Sequence, residues 1–193
     1  TPFIYQGQEI GMINWRPESV EQYRDVQTIW NYNHTALNKT PEQRLKRQWR
    51  SARDSARTPV QWSAEKNAGF TTADTPWMHV NPNYTWLNTA QQEEDPDSIL
   101  NFYRKAIRLR KELSCVRRGV YKEYRPLSGK HYIYSMTDES QQILVVCSFA
   151  KKDTRFTAPK GFDLGKAELL LGNYGDPEIG TLKPYECRVF LMK

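Results

Sequence analysis

The chain has 193 residues, 38% of them hydrophobic, with 28 Lys and Arg against 22 Asp and Glu. That is enough for one large or two small globular domains, and two are expected. No run of about 18 apolar residues occurs and no charged-then-apolar leader opens the chain, so neither a membrane span nor a signal peptide is expected. The formal charge of +6 raises nucleic acid as a partner, and Arg44, Lys46, Arg47, Arg50, Arg53 and Arg57 crowd one stretch. Acidic residues are interspersed elsewhere and no nucleic-acid module is spelled out, so a solvated basic face is the reading. Cys115, Cys147 and Cys187 are well separated and odd in number, without paired-thiol or metal-ligand spacing, which fits a reducing, cytoplasmic compartment.

In chain order, PFIYQ at 2–6 is a short apolar run before Gly7, as in a buried parallel strand followed by a tight turn. No second parallel strand follows, so its sheet is expected upstream, in a part of the same polypeptide preceding Thr1. Residues Pro17 to about Asn33 read as a helix with Val20, Tyr23, Gln27 and Trp30 on one face. Thr40, Pro41 and Gln43 supply an N-cap, a first-turn proline and a capping box. Behind them Leu45, Trp49, Ala52 and Ala56 form one apolar stripe, and Pro59 ends the helix. Arg53 and Arg57 then lie one turn apart on a single face, where like charges cost about 0.2–0.5 kcal/mol. Either the C-terminal dipole compensates them or a polar ligand does.

The loop over 58–95 carries Trp62, Phe70, Trp77, Tyr84 and Trp86 among Pro, Asn, Gly and Thr. Five large rings argue for packing, in a satellite core or against a sugar at the mouth of a cleft. Asp95, Pro96 and Asp97 start another helix, with Ile99, Phe102, Ala106, Leu109 and Leu113 as its buried stripe. After Gly119 the period becomes two. Val120–Tyr124, His131–Met136, Ile143–Phe149, Thr154–Thr157, Glu168–Leu171 and Cys187–Met192 read as six strands of a sandwich, with a central strand at Leu144–Cys147. Lys151 to Asp153 and Asn173 to Asp176 mark surface turns. His34 and His131 read as packing or surface residues, and His79 has no assigned role.

Five ordered segments carry a family resemblance. TPFIYQGQEIGM at 1–12 resembles the eighth barrel strand of the oligo-1,6-glucosidase and α-glucosidase group of the α-amylase family, glycoside hydrolase family 13. Arg24-Asp25 in EQYRDVQT, RDSARTPVQW at 53–62, NAGFTT at 67–72 and PWMHVNPNY at 76–84 resemble the same group's later segments, in order. The second half is similar in layout: a last barrel helix, then an antiparallel β domain.

The resemblance implies an α+β fragment. Residues 1–113 would be the end of a (β/α)8 TIM barrel, with its last strand, helices and long loop, and 114–193 an all-β antiparallel sandwich. Retaining glycoside hydrolysis needs two carboxyl groups roughly 5–5.5 Å apart, and in this family they sit on earlier barrel strands. No catalytic residue is therefore expected here. Glu9, Asp25 and Asp54 read as a strand-end polar group, a helix-interior partner for Arg24 and a neighbour of Arg53. By resemblance the chain contributes the pocket rim: Arg53 reaches the glucose site, Arg57 lies nearby, and Gln27 stands where many α-1,6-specific members have glutamate. The partner is then an oligosaccharide, met in a pocket completed by the upstream barrel, with no cofactor, metal, nucleic acid or membrane. A trehalose-6-phosphate hydrolase, a non-catalytic relative and a carbohydrate-binding module stay open. The last would display Tyr121, Tyr124, Tyr132 and Tyr134 on one sheet face.

Overall fold

A computed structural model describes residues 2–124, 129–175 and 178–192. Thr1 of the first resembling segment and Asp176 of the expected surface turn lie outside the described residues. The chain divides into two compact units, Thr1–Asn101 and Phe102–Lys193. Among the described residues no helix is long and apolar enough to cross a membrane.

In the first unit the apolar run 2–6 forms no strand, contrary to expectation. A strand exists through the ladder it shares with a neighbour, and no strand lies among the described residues of this unit. Phe3 is 91% exposed, and Ile4 and Tyr5 are exposed with it. Gly7 and Gly11, at φ 84° and 68°, bracket a 3-10 turn over Gln8–Ile10. A side chain at Gly7 would also collide with Met12.

The helix expected from Pro17 begins later. A 3-10 turn, Val20–Gln22, precedes helix α1, Val26–His34, which Asp25 caps through its contact with Thr28 N at 3.2 Å. The interruption shifts the helical phase, so the predicted stripe divides: Tyr23 is buried, whereas Gln27 and Trp30 are exposed. Helix α2, Pro41–Ser51, has the expected start. Gln43 N donates to Thr40 Oγ1 at 3.3 Å, and Thr40 N donates to Gln43 Oε1 at 3.2 Å. It stops well before Pro59, because Ala52 turns to φ −64°, ψ 128° and a 3-10 turn, Arg53–Ala56, follows. Arg53 and Arg57 are therefore not one turn apart on a helix face, and the like-charge cost of such a pair does not arise.

Trp15, Tyr23, Leu45 and Ala52 form the buried core of this unit, flanked by Val20, Ile29, Tyr32 and Trp49. Trp15 meets Tyr23 edge-on, 5.7 Å between centroids. The loop over 58–95 holds 3-10 turns at Lys66–Gly69 and Pro82–Thr85 and a short helix α3, Thr89–Glu94. Its rings mostly face outward: Trp62, Phe70, Trp77 and Trp86 are each at least half exposed. Buried polar groups hold it instead. Asn81 Nδ2 donates to Ile13 O at 3.0 Å, Gln92 Nε2 to Ile10 O at 2.7 Å, and Thr89 N to Gln61 O at 2.8 Å. Helix α4, Ile99–Glu112, is capped by Ser98, whose Oγ accepts from Asn101 N at 3.2 Å. Asp95, the expected cap, accepts from Asp97 N instead.

The second unit contains helix α5, Ser114–Arg118, and seven strands: β1 Val120–Tyr124, β2 His131–Thr137, β3 Gln142–Ser148, β4 Thr154–Arg155, β5 Glu168–Gly172, β6 Thr181–Leu182 and β7 Cys187–Leu191. Five make an antiparallel sheet in the order β1-β2-β3-β7-β5, and β4 pairs with β6 in a separate ribbon. All six expected strands are present, and β6 is additional. Strand β3 is central, as its continuous apolar run implies. One face of the sheet, through Ile133, Leu144, Val146 and Phe190, packs with Phe156 and Leu182 of the ribbon region. The other, through Ile143 and Val145, packs with Leu113 and Cys115. Beside the ribbon, Arg188 and Glu186 are almost wholly buried as a bidentate pair at 2.7 and 2.9 Å. Arg188 also donates to Glu178 O and Thr181 O, each at 2.8 Å.

Candidate functional site

The site is organised by Asp54, which is fully buried at the 3-10 turn after α2. Its Oδ2 accepts from the backbone N–H of Arg24 at 2.7 Å and of Asp25 at 2.9 Å. Its Oδ1 receives Arg57 Nη1 at 3.3 Å. The carboxylate thus sits where α1 begins, at the positive end of the helix dipole. It fastens the Arg53–Ala56 turn to that helix. Sequence reasoning treated Asp54 as a neighbour of Arg53, but the arginine it bonds is Arg57.

Asp25 is the N-cap of α1 and not a helix-interior partner of Arg24. Its Oδ2 accepts from Thr28 Oγ1 at 2.6 Å and from Thr28 N at 3.2 Å. Burial pushes its pKa up, but the Thr28 hydrogen bonds and the charges of Arg53 and Arg57 outweigh that, leaving it below the usual carboxylate value. Asp25 therefore stays an acceptor, and both oxygens of Asp54 are taken up by N–H donors. A general acid needs a raised pKa and a proton to give, and Asp25, with its pKa lowered, is not so placed.

The two arginines differ. Arg57 is committed to Asp54. Arg53 has no hydrogen bond or ion pair among the described residues, and acts on Asp25 only through its charge. It lines a cleft of about 520 Å3 with Tyr5, Gln6, Gln8, Asn14 and Arg50. Tyr5 Oη donates to Ala56 O at 3.0 Å, tying the first segment to the arginine turn. Gln27 does not line this cleft. It lies two residues beyond Asp25 on α1, exposed, with Nε2 donating to Asn31 Oδ1 at 3.0 Å.

The remaining segments meet nearby. Arg24 lies 5.7 Å from the centroid of Trp77, and the two residues border a hollow of about 220 Å3 with Asn67 and His79. His79 stacks on Trp15 at 4.8 Å, which gives it a packing role. Sequence reasoning placed Trp77 among the loop rings that pack or meet a sugar, and missed Tyr5 as a member of the site. An acid flanked by two arginines in RDSAR was a signal for Asp54, and the ring-rich loop was one for Trp77; for Tyr5 there was none.

The tyrosines expected on one sheet face are divided. Tyr121 and Tyr132 are exposed, with their hydroxyls 2.7 Å apart, whereas Tyr124 lies on the opposite face against Phe162. Alternation along the strands accounts for this arrangement.

Residues 1–119 match the family described as alpha amylase, catalytic domain. The chain is 40% identical over 197 residues to a probable oligo-1,6-glucosidase 2 of Bacillus subtilis. It is 42% identical over 199 residues to an oligo-1,6-glucosidase of Halalkalibacterium halodurans. Each alignment covers 100% of this chain and 35% of the relative, so the chain spans about a third of the length of the curated relatives it matches. The crystal structure of a trehalose-6-phosphate hydrolase from Bacillus licheniformis superposes with a TM-score of 0.91 at 35% identity. That of a trehalulose synthase from Pseudomonas mesoacidophila does so at 0.87 and 34%. Both cover 100% of this chain and 36% of the solved one. A family match across more than half the chain places this chain in the α-amylase family.

Proposed function

We propose that the chain is the C-terminal part of a retaining α-glucosidase acting on short α-1,6- or α-1,4-glucosides, and that it forms the rim of the pocket. In this reading residues 1–113 end the (β/α)8 barrel, and 114–193 form its closing antiparallel β domain. The exposed run at Phe3–Tyr5 is then a barrel strand whose partners lie upstream in the same polypeptide. Arg53 offers its planar guanidinium to a sugar hydroxyl, Arg57 fixes the turn that presents it, and Gln27 faces the leaving-group sugar. The observation that carries this is the contrast between the arginines: one is held by Asp54, and the other faces a cleft with its donors unused.

The chain by itself carries out no hydrolysis in this reading, because it includes no catalytic carboxylate pair, and Asp25 and Asp54 are engaged in holding α1. Three free thiols and the close likeness to bacterial oligo-1,6-glucosidases support a cytoplasmic enzyme. Turnover of p-nitrophenyl α-glucoside tests it: the full-length enzyme containing this chain should be active and the isolated chain silent. Turnover by the isolated chain that disappears on replacing Glu9, Asp25 or Asp54 would overturn the assignment.

A second reading, trehalose-6-phosphate hydrolysis, is favoured by the basic residues around the cleft. Arg50 borders the Arg53 cleft, and Arg16 and Lys46 border a hollow beside it. Comparing kcat/KM on isomaltose and on trehalose 6-phosphate separates the two.

A further inference from the structure

Two of the three cysteines meet in the sheet of the second unit. The β3–β7 register sets Cys147 directly opposite Cys187. Opposed residues in an antiparallel pair alternate between wide, hydrogen-bonded positions and narrow, non-hydrogen-bonded ones. Next along, Ser148 N donates to Glu186 O at 2.7 Å, which marks that pair as the hydrogen-bonded one. Cys147 and Cys187 therefore occupy a narrow position, where Cα atoms lie about 4.5 Å apart. That falls within the roughly 4.4–6.8 Å a disulfide spans. Their sulfurs are 3.4 Å apart and share a hydrogen bond. Both side chains point to the sheet face of Val145 and Val189, and both keep some solvent exposure. Cys115, by contrast, is completely buried.

We infer that Cys147 and Cys187 form a reversible dithiol site, oxidised to a cross-strand disulfide by a low-molecular-weight disulfide. The shared hydrogen bond lowers the Cys147 pKa and raises that of Cys187, so Cys147 is the attacking thiolate. It attacks one sulfur of the oxidant, forms a mixed disulfide and expels the first thiolate. Cys187 then gives up its proton and attacks the Cys147 sulfur, expelling the second thiolate. One protein disulfide and two small thiols result; the protein loses two electrons, the oxidant gains them, and the two thiol protons leave with the expelled thiolates. The bond joins the central strand β3 to β7, which already lie in register, so no strand has to shift.

The test incubates the full 193-residue chain in glutathione buffers of graded oxidised-to-reduced ratio, then counts thiols by alkylation and maps the linked peptides. The expected result is a fall from three free thiols to one, with the Cys147 and Cys187 peptides joined and Cys115 unmodified. Reduction should restore all three. The melting temperature should rise on oxidation in the parent and in Cys115→Ser, and stay unchanged in Cys187→Ser. Cys187→Ser should also hold a single glutathione on Cys147. Three thiols retained at every ratio, glutathione on both cysteines without a link between them, or linkage only between chains would each overturn the proposal.

Discussion

The buried carboxylate of Asp54 accepts the backbone N–H of Asp25, 29 residues earlier, at 2.9 Å. Through it the turn carrying Arg53 is attached to the helix carrying Gln27. Replacing Asp54 by Ala leaves the buried Asp25 N–H and the part-buried Arg24 N–H without their acceptor, at about 1–3 kcal/mol for the buried group and less for the other. Arg57→Ala removes only a partly exposed partner, worth about 1 kcal/mol or less. In the full-length enzyme, amide exchange in Val26–His34 should therefore accelerate strongly for Asp54→Ala and little for Arg57→Ala. Equal acceleration would show that the ion pair, and not the backbone contacts, does the holding.

The second unit should be acid-sensitive through Glu186. Burial raises its pKa, but the hydrogen bonds from Arg188 and from Lys183 N, with both charges, bring it below the ordinary 4.5. A folded-state pKa below the unfolded one stabilises above the unfolded value and is lost as pH falls through the folded value. Unfolding free energy should thus decline below about pH 4.5 in the parent, and this component should be absent in Glu186→Gln. Arg188→Ala leaves a buried carboxylate unpaired and should cost about 3–5 kcal/mol at neutral pH. Parallel acid profiles for the parent and Glu186→Gln would remove Glu186 from the account.

What could be read from the sequence was what depends on neighbours in the chain. The Thr40–Gln43 box, the period-two strands and the central position of Leu144–Cys147 all follow from local spacing. The end of α2 did not, because the chain leaves the helix where Asp54 turns to meet backbone groups about thirty residues away. No periodicity records that contact. Strand β6 has only two residues, Thr181 and Leu182, and owes its existence to pairing with β4. Arg53 and Arg57 were read as a pair, but the difference between them was not legible. Each is an arginine in one short motif, and only the buried acid between them separates their roles.

Residues 97–193 should fold without the rest of the chain, whereas 1–96 should not. Both faces of the five-stranded sheet are covered from within Phe102–Lys193. The first unit instead exposes Phe3, Ile4 and Tyr5, at 91%, 42% and 58%, in a segment with no ladder. The two segments, made separately and followed by circular dichroism on heating, should give a sigmoidal transition for 97–193 and a shallow one for 1–96. A cooperative transition in 1–96 would mean that this unit needs no barrel neighbours.

Arg53 and Gln27 are tested together in the full-length enzyme. If the unused donors of Arg53 bind a sugar hydroxyl, truncation removes charge-assisted hydrogen bonds of about 1.5–3 kcal/mol, part of them in the transition state. At about 1.4 kcal/mol per tenfold, Arg53→Ala should lower kcat/KM by roughly ten- to a hundred-fold. Its thermal stability should change little, since the side chain has no hydrogen-bonded partner in the fold. Were Arg53 only an electrostatic companion of Asp25, the change would cost a few tenths of a kcal/mol in stability and spare the kinetics. Gln27 supplies the other half. An amide both donates and accepts, whereas a carboxylate only accepts and brings charge. Position 27 lies in the first turn of α1 and is exposed, so Gln27→Glu is tolerated by the fold and favoured by the helix dipole. With a carboxylate at the leaving-group sugar, the ratio of isomaltose to maltose hydrolysis should rise. Arg53→Ala should lower both rates together, because the glucose it would hold under this proposal is common to the two substrates. If kcat/KM is unchanged in Arg53→Ala while the melting temperature falls, Arg53 is a structural residue and the pocket rim lies elsewhere.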